Sequence, residues 1–197
     1  MKKIVIATKN LDKLCEMEIA FEGLPVEFLS LADIGDIPDA IEDGETFEEN
    51  ARIKAKFFME QTGLACIADD SGLEVEALGG RPGVYSARFA GYHAHDMTNN
   101  QKLLEELAKV GVTESAADYR CALCFIDVDG TEITASGVVF GTIKNIARGT
   151  NGFGYDPYFY INDTQTMAEL TTEEKDKISH RGAALRELVP KLKERLE

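Results

Sequence analysis

The sequence predicts an α/β protein with a mixed β-sheet. Residues 3–8 form an unbroken apolar and β-branched run, which is typical of a buried strand, and residues 10–23 follow with helical spacing. Asp129-Gly130 separates two further strand-like runs, which is a strong signal for a hairpin. Helices between strands together with one clear hairpin favour a sheet that is not purely parallel.

The other elements follow from local patterns. Thr46 and Glu49 form a capping box at the start of a helix that Gly63 ends. Pro190 is expected to kink or break the last helix. Strands are expected at residues 26–29, 64–68, 73–77, 119–128 and 131–139, helices at 46–63, 99–110 and 178–197, a polar helical turn from 171, and loops at 31–44 and 149–160.

Composition indicates one globular domain covering residues 1–197, since 44% of the residues are hydrophobic and 28% are charged. No apolar run approaches the roughly 18 residues that span a membrane. The first strand is too short to act as a signal peptide, so we expect a cytoplasmic protein with no membrane partner. The net charge of −14 opposes binding to a nucleic-acid backbone.

Cysteine spacing gives no sign of a zinc or redox site. Cys121 and Cys124 are the only close pair, and residues three apart on a strand point to opposite faces. We therefore expect Cys15, Cys66, Cys121 and Cys124 to be buried free thiols.

Two adjacent acids, Asp69 and Asp70, follow the strand predicted at 64–68, and Ser71-Gly72 is expected to end that strand. Mg²⁺ uses one or two carboxylates together with waters and substrate phosphates. An aspartate beside such a metal can also accept a proton from an attacking water. The alternative is that Asp70 or Ser71 only caps a turn.

A polar segment joins the first strand to the first helix. The start of a helix offers free amides and partial positive charge to a phosphate, and Thr8, Asn10 and Lys13 can add hydrogen bonds and a cation. The alternative is ordinary capping, which Asn favours at this position.

The loop at 149–160 combines glycines with Phe153, Tyr155 and Asp156. Aromatic faces stack on nucleobases, and a fixed carboxylate can contact a base edge or a sugar. The alternative is that these aromatic rings belong to the core.

Cations gather just before the last predicted helix, at Lys175, His180 and Arg181. Because the start of a helix normally favours acids, these residues suggest an anionic or carbonyl-bearing partner. The alternative is a solvated charged face. Together with the preceding segments, they describe a nucleotide site.

The motifs that carry these residues resemble the inosine/xanthosine triphosphate pyrophosphatase family, also called Ham1-like. The resemblance extends over almost the whole chain and keeps the order of the motifs. They are ATKNLDK (7–13), GETFEENARIKA (44–55), ADDSGLEVEALGGRPGVYSARFAG (68–91), RGTNGFGYDPYF (148–159) and AELTTEEKDKISHR (168–181).

The resemblance implies an Mg²⁺-dependent hydrolase that cleaves a nucleoside triphosphate between the α and β phosphates. Its substrates would be deaminated purine nucleotides such as ITP, dITP and XTP. It also implies an elongated, twisted mixed sheet flanked by helices, in two lobes around a nucleotide cleft, and a homodimer.

The resemblance assigns Asp70 as catalytic base and metal ligand. Several relatives have a metal-binding Glu where this chain has Ile41, so Glu42 and Asp69 are the further metal candidates. His180 and Arg181 would lie near the purine 6-oxo group. Substrate contacts are implied for Thr8, Lys9, Asn10, Leu11, Asp12, Lys13, Ser71, Phe153, Gly154, Tyr155, Asp156, Lys175, His180 and Arg181.

Three other functions compete with this interpretation. One is a pyrophosphatase of the related Maf-like class, with different nucleotide preferences. Another is a nucleotide-binding sensor without turnover. A serine hydrolase built on Ser71 and His180 is poorly supported, because Asp70-Ser71-Gly72 lacks the G-x-S-x-G turn.

Overall fold

A computed structural model describes residues 2–196, and over that range it has six strands and six α-helices. The strands form one sheet in the order β2-β1-β3-β4-β5-β6. In chain order the elements are β1 (Lys2–Ile6), α1 (Leu11–Ala20), β2 (Val26–Ser30), α2 (Leu31–Ile34), α3 (Phe47–Thr62), β3 (Ala65–Val75), α4 (Asp96–Lys109), β4 (Glu114–Ile126), β5 (Glu132–Lys144), β6 (Phe159–Tyr160), α5 (Thr172–Ile178) and α6 (His180–Leu196).

The sheet is mixed, as predicted. Strand β1 pairs in parallel with both β2 and β3, whereas β5 pairs antiparallel with β6. The predicted turn at Asp129-Gly130 joins β4 to β5, and the amide of Asp127 donates to the carbonyl of Thr131 across 2.9 Å. The predicted α/β class and the hairpin are therefore confirmed.

The chain divides into two compact units, each assembled from separate segments. The first unit consists of Met1–Asp70, Cys121–Gly137 and Arg181–Glu197, and the second of Ser71–Arg120 and Val138–His180. Strands β3, β4 and β5 contribute residues to both units. The chain therefore changes unit directly after Asp70 and again directly after His180.

The first unit has a core made by β1, α1, the start of β3, the end of β4 and α6. Helix α6 continues through Pro190, so a break is wrong, and a kink at this position stays a prediction. Leu188 and Leu192 on either side of the proline are completely buried, and their burial opposes a break there. The core includes Ile4, Ile6, Met17, Phe21, Ile67, Leu123, Phe125, Leu185, Leu188 and Leu192.

The second unit has its own core, in which one face of α4 packs on strand residues. Leu103 and Leu107, four positions apart on α4, are buried in it. The segment predicted as a loop at 149–160 ends in β6 and contributes Tyr155 and Phe159. The other members include Leu73, Val75, Leu78, Ala117, Tyr119, Ile143, Met167 and Leu170.

Two local predictions are wrong. Ser71-Gly72 does not end a strand, because β3 continues to Val75 and joins the two strands predicted at 64–68 and 73–77. The loop predicted at 31–44 begins with the short helix α2, where the carboxylate of Asp33 accepts hydrogen bonds from the amide and hydroxyl of Ser30.

Other boundaries differ by a few residues. Helix α4 begins at Asp96, three residues before the predicted start. The predicted end of the last helix, residue 197, lies outside the described residues. Of the four thiols expected to be buried, Cys66, Cys121 and Cys124 are buried. The prediction is wrong for Cys15, which lies exposed on α1. Within residues 2–196, no helix is long and apolar enough to cross a bilayer.

Candidate active site

The predicted site residues are divided between the two units. Those of the first unit are Thr8, Lys9, Asn10, Leu11, Asp12, Lys13, Glu42, Asp69, Asp70 and Arg181. Those of the second are Ser71, Phe153, Gly154, Tyr155, Asp156, Lys175 and His180.

The polar segment before α1 caps that helix. Asn10 is the N-cap, and its Oδ1 accepts hydrogen bonds from the amides of Asp12 and Lys13 at 2.9 and 3.1 Å. Thr8 Oγ1 in turn accepts from the amide of Asn10 at 3.2 Å. Leu11 is exposed. The capping alternative is thus realised, while phosphate binding by this segment stays a prediction.

Asp69 is a deeply buried carboxylate of the first unit, with 1% of its surface exposed. Its Oδ2 lies 2.7 Å from Lys13 Nζ and 3.4 Å from Arg181 Nη2. Burial alone would raise the pKa of Asp69, but the charges of Lys13 and Arg181 outweigh it and hold the pKa well below its ordinary value. Asp69 is therefore ionised and held by two cations.

Arg181 is as deeply buried as Asp69. Besides contacting Asp69, it donates from Nη1 to Glu16 Oε2 across 2.6 Å. Burial acts to lower the pKa of Arg181, yet Asp69 and Glu16 raise it above its usual value. This guanidinium links α6 to α1 and β3, and its assignment to the purine base stays a prediction.

Asp70 differs from its neighbour because it is only partly buried. Burial raises the pKa of Asp70 to about 6, although Lys54 and Lys13 pull in the opposite direction, and the nearby charges of Glu42 and Asp69 add to the rise. A carboxylate with this pKa can bind or release a proton near neutral pH.

Lys54 and Glu16 belong to this cluster, although the residue-level prediction did not include them. Lys54 Nζ donates to the backbone carbonyl of Asp69 across 2.9 Å and lies 3.0 Å from Glu42 Oε2. The signal for Lys54 was available, because it lies within the motif GETFEENARIKA. Nothing local singles out Glu16, whose partner Arg181 is 165 residues away.

The same motif fixes the chain just after Glu42. The amide of Gly44 donates to Asn50 Oδ1 across 2.8 Å, and Asn50 is buried on α3. A Cβ on residue 44 would lie 2.8 Å from that same oxygen, which is too close. Glycine is therefore required at this position, and the predicted capping box of Thr46 and Glu49 next to it is confirmed.

The donor set in the first unit fits Mg²⁺ in the presence of phosphates. Among residues 2–196 no group of three or more His, Cys, Asp or Glu is arranged to hold a metal by itself. Mg²⁺ ordinarily takes one or two carboxylates and completes its shell with water and substrate phosphates. Asp70 and Glu42 supply such a pair of carboxylates, and Glu42 is partly exposed although Lys54 contacts it. Asp69 is instead buried between two cations, Lys13 and Arg181.

In the second unit, Asp156 organises the glycine-rich loop. Its Oδ2 accepts from Lys175 Nζ at 2.7 Å and from the amide of Phe153 at 3.1 Å. Burial raises the pKa of Asp156, with Lys175 and the Phe153 amide opposing the rise. Lys175 Nζ also lies 4.3 Å from the centroid of the Phe153 ring, a cation–π contact.

The prediction that Lys175 lies at the start of a helix is wrong. Lys175 lies in the last turn of α5, where the helix dipole favours a cation. Its charge is therefore explained by Asp156, Phe153 and the end of the helix, and does not by itself require a ligand.

The remaining predicted residues of this unit have distinct surroundings. Tyr155 is buried in the second core, and its hydroxyl donates to the carbonyl of Ser86 across 2.7 Å. Gly154 is held through its amide by Asp96 Oδ2 and through its carbonyl by Asn100 Nδ2. His180 is the buried first residue of α6, and Ser71 lies partly exposed within β3.

Gly152 is essential to the form of this loop. Its φ of +70° belongs to the left-handed region, and a Cβ there would lie 2.1 Å from Asp156 Oδ2. Any side chain at residue 152 would thus displace the carboxylate that binds Lys175.

Comparisons with known proteins show the family to which this chain is similar. A model of the Ham1 family matches residues 4–191. The dITP/XTP pyrophosphatase of Bacillus licheniformis is 52% identical over 190 residues, covering 95% of this chain and 96% of the relative, and that of Geobacter sulfurreducens is 50% identical over 186 residues, covering 94% of each. The solved structure of a HAM1 protein from Coxiella burnetii superposes with a TM-score of 0.89 at 41% identity, covering 98% of this chain and 100% of that one.

Proposed function

Because this chain belongs to the Ham1 family, we propose that it hydrolyses deaminated purine nucleoside triphosphates, namely ITP, dITP and XTP, to the monophosphate and pyrophosphate. Such an enzyme removes these nucleotides from the pool that polymerases use. Relatives of about half-identical sequence, aligned over nearly the whole chain, carry the dITP/XTP pyrophosphatase name. The half-buried carboxylate of Asp70, beside Lys13 and Lys54, is the structural observation that carries the proposal.

Asp70 is the proposed proton acceptor. The oxygen of a water attacks the α-phosphorus, the bond from that phosphorus to the oxygen of the leaving pyrophosphate breaks, and a proton of the water passes to the Asp70 carboxylate. A base with a pKa near 6 is mostly ionised at neutral pH and still accepts a proton readily. Lys13 and Lys54 supply positive charge beside it.

Asp70 and Glu42 are the residues we propose to hold Mg²⁺. When bound, the ion would neutralise phosphate charge and favour ionisation of water. Asp69 would not be a ligand in this scheme. Its role is to fix Lys13 and Arg181, because its Oδ2 is already within reach of both cations.

Base recognition is assigned to residues of the second unit. Phe153 offers an aromatic face for stacking, with its backbone held by Asp156. A 6-oxo purine presents an acceptor where adenine presents a donor, and a protonated His180 can only donate. The geometry of Arg181 supports a role in holding Asp69. We also propose that Arg181 contacts the base.

The test measures pyrophosphate release from dITP, XTP, dATP, dGTP and dCTP with Mg²⁺, and with EDTA in its place. We expect release from dITP and XTP, loss of release with EDTA, and a fall of at least about 100-fold for Asp70→Asn, the lower end of the range for a lost general base. Asp163→Asn, an exposed Asp of the same chain, is the matched control and should leave the rate unchanged.

Each alternative function predicts a different outcome in this assay. Orthophosphate in place of pyrophosphate would contradict the proposed cleavage. Preference for dCTP would favour the Maf-like alternative. Saturable dITP binding without any turnover would favour a sensor.

Homodimer formation and a cytoplasmic location are proposed from the family resemblance. Light scattering of the purified chain would give twice the 21.7 kDa monomer mass if it forms a homodimer. Fractionation of expressing cells would test the location.

A further inference from the structure

Tyr119, a residue of β4 that neither the motifs nor the proposed chemistry uses, packs directly on His180. We infer that Tyr119 is a positioning residue for purine recognition, which fixes the plane of the His180 ring and thereby favours 6-oxo over 6-amino bases. The inference rests on the proposed function, in which His180 donates to the 6-oxo group.

The two rings are stacked nearly parallel. Their centroids are 4.8 Å apart and their planes differ by 10°, and both side chains are almost fully buried. A parallel neighbour at this distance opposes rotation of the imidazole about its Cβ–Cγ bond, because that rotation would turn an edge of the ring into the tyrosine face. The direction in which its N–H groups can point is therefore confined to one plane.

Tyr119 is itself held in place. Its ring packs against the buried Phe159, with centroids 4.6 Å apart and planes 39° apart. Phe159 belongs to β6, which pairs with β5. The support of His180 therefore comes from two strands of the sheet, which is a more rigid base than a loop.

Tyr119 also lies beside the other proposed base contacts. Burial and the negative charge of Asp156 together raise the pKa of Tyr119 well above its usual value, so the phenol stays neutral. Asp156 in turn binds Lys175 and the amide of Phe153. One tyrosine thus contacts the histidine and lies next to the carboxylate that organises the loop.

Loss of the Tyr119 ring is expected to change the selectivity for 6-oxo over 6-amino purines more than the overall rate. A hydrogen bond weakens steeply when the donor is misaligned, so a tilting imidazole would bind a 6-oxo acceptor less well. A 6-amino purine forms no such bond with a protonated imidazole and loses nothing when the ring tilts.

The experiment compares kcat/KM for dITP with kcat/KM for dATP in the full-length chain with Mg²⁺. In Tyr119→Leu we expect the dITP to dATP ratio to fall about tenfold, the size of one lost hydrogen bond to a charged group, chiefly through the KM for dITP. Tyr119→Phe keeps the ring and is the matched control, with the ratio unchanged. In a His180→Ala background, Tyr119→Leu should produce no further change in the ratio.

The ratio separates positioning from simple destabilisation, because a smaller folded fraction lowers both rates equally. If Tyr119→Leu does not fold, Tyr119→Met fills a similar volume without a ring and takes its place. An unchanged ratio in the ring-less variant overturns the inference while leaving the proposed function intact, and an equal loss in Tyr119→Phe overturns it by assigning the effect to the hydroxyl. A wild-type chain that releases no pyrophosphate from dITP overturns the proposed function and this inference with it.

Discussion

Lys175 Nζ lies 2.7 Å from Asp156 Oδ2, and both side chains are almost completely buried. Removing one partner of such a pair leaves the other charge buried without compensation, which costs more than the pair itself contributes. The second unit is therefore expected to be sensitive to single changes at this pair and less sensitive to changing both.

Asp156→Asn is predicted to lower the free energy of unfolding by about 3 kcal/mol, because it leaves the Lys175 ammonium buried beside a neutral amide. Urea denaturation measures the loss. Asp156→Asn combined with Lys175→Met should be more stable than Asp156→Asn alone. Lys177→Met, an exposed change on the same helix, should have little effect. Equal losses for the buried and exposed changes would contradict the prediction.

Glu16→Gln is predicted to destabilise the chain by about 2 kcal/mol, the value of a hydrogen bond to a charged group, because Glu16 is the closer of the two carboxylates that hold Arg181. Glu18→Gln lies on the same helix but is exposed, so it should leave the unfolding midpoint unchanged. If both variants unfold at the wild-type midpoint, Arg181 does not depend on Glu16.

Asp70 makes the metal-free protein less stable as pH rises. The pKa of Asp70 is about 6 in the folded chain, whereas its ordinary value is 3.8. Between these two pH values, Asp70 keeps its proton in the folded chain and loses it in the unfolded chain. The stabilising effect of the bound proton is complete below pH 3.8 and is lost as pH passes through 6. Asp70→Asn should therefore match wild type near pH 4 and exceed it above pH 7 by an amount on the order of 3 kcal/mol.

Urea unfolding at several pH values in EDTA measures this difference. Adding Mg²⁺ should reduce the advantage of Asp70→Asn, because the ion favours the ionised carboxylate of the wild type. An advantage that is the same at pH 4 and pH 8 would show that the pKa of Asp70 is not raised.

Gly152→Ala is predicted to raise the KM for dITP about tenfold or more, because its Cβ would displace the Asp156 carboxylate from Lys175. Gly23→Ala is the control, since Gly23 has a φ of +85° with no atom within 4 Å of the added Cβ. The control is expected to lose about 1 kcal/mol of stability through backbone strain and to keep its KM. Steady-state kinetics of the two variants measures the KM for dITP, and an equal KM in both would contradict the prediction.

Features set by neighbouring residues were predictable from the sequence. The N-cap of α3, the Gly63 stop and the β4–β5 turn each depend on contacts within a few positions. Strand β3 was predicted to end too early because Ser71-Gly72 is a local turn signal, whereas pairing in the sheet is decided by distant strands.

Charge partners were the least predictable part of the site. Lys13 and Asp69 are 56 positions apart, and Lys175 and Asp156 are 19 apart, so no spacing rule joins them. The motifs identified most of the residues, but they could not show that Arg181 is held by Glu16 or that Tyr119 lies on His180. The sequence therefore predicts which charged residues the site contains, but it does not predict which of them form ion pairs.

The division of the chain after Asp70, Arg120, Gly137 and His180 has a practical consequence for dissecting this protein. Neither unit corresponds to one continuous stretch of the gene, so no single truncation isolates either unit. A nick after Arg120 or after Gly137 would leave each unit with segments on both fragments, whereas a nick after Asp70 or after His180 would divide only the first unit. Grafting one unit onto a relative therefore requires several junctions at once, and two of those junctions fall beside the residues assigned to catalysis and base recognition.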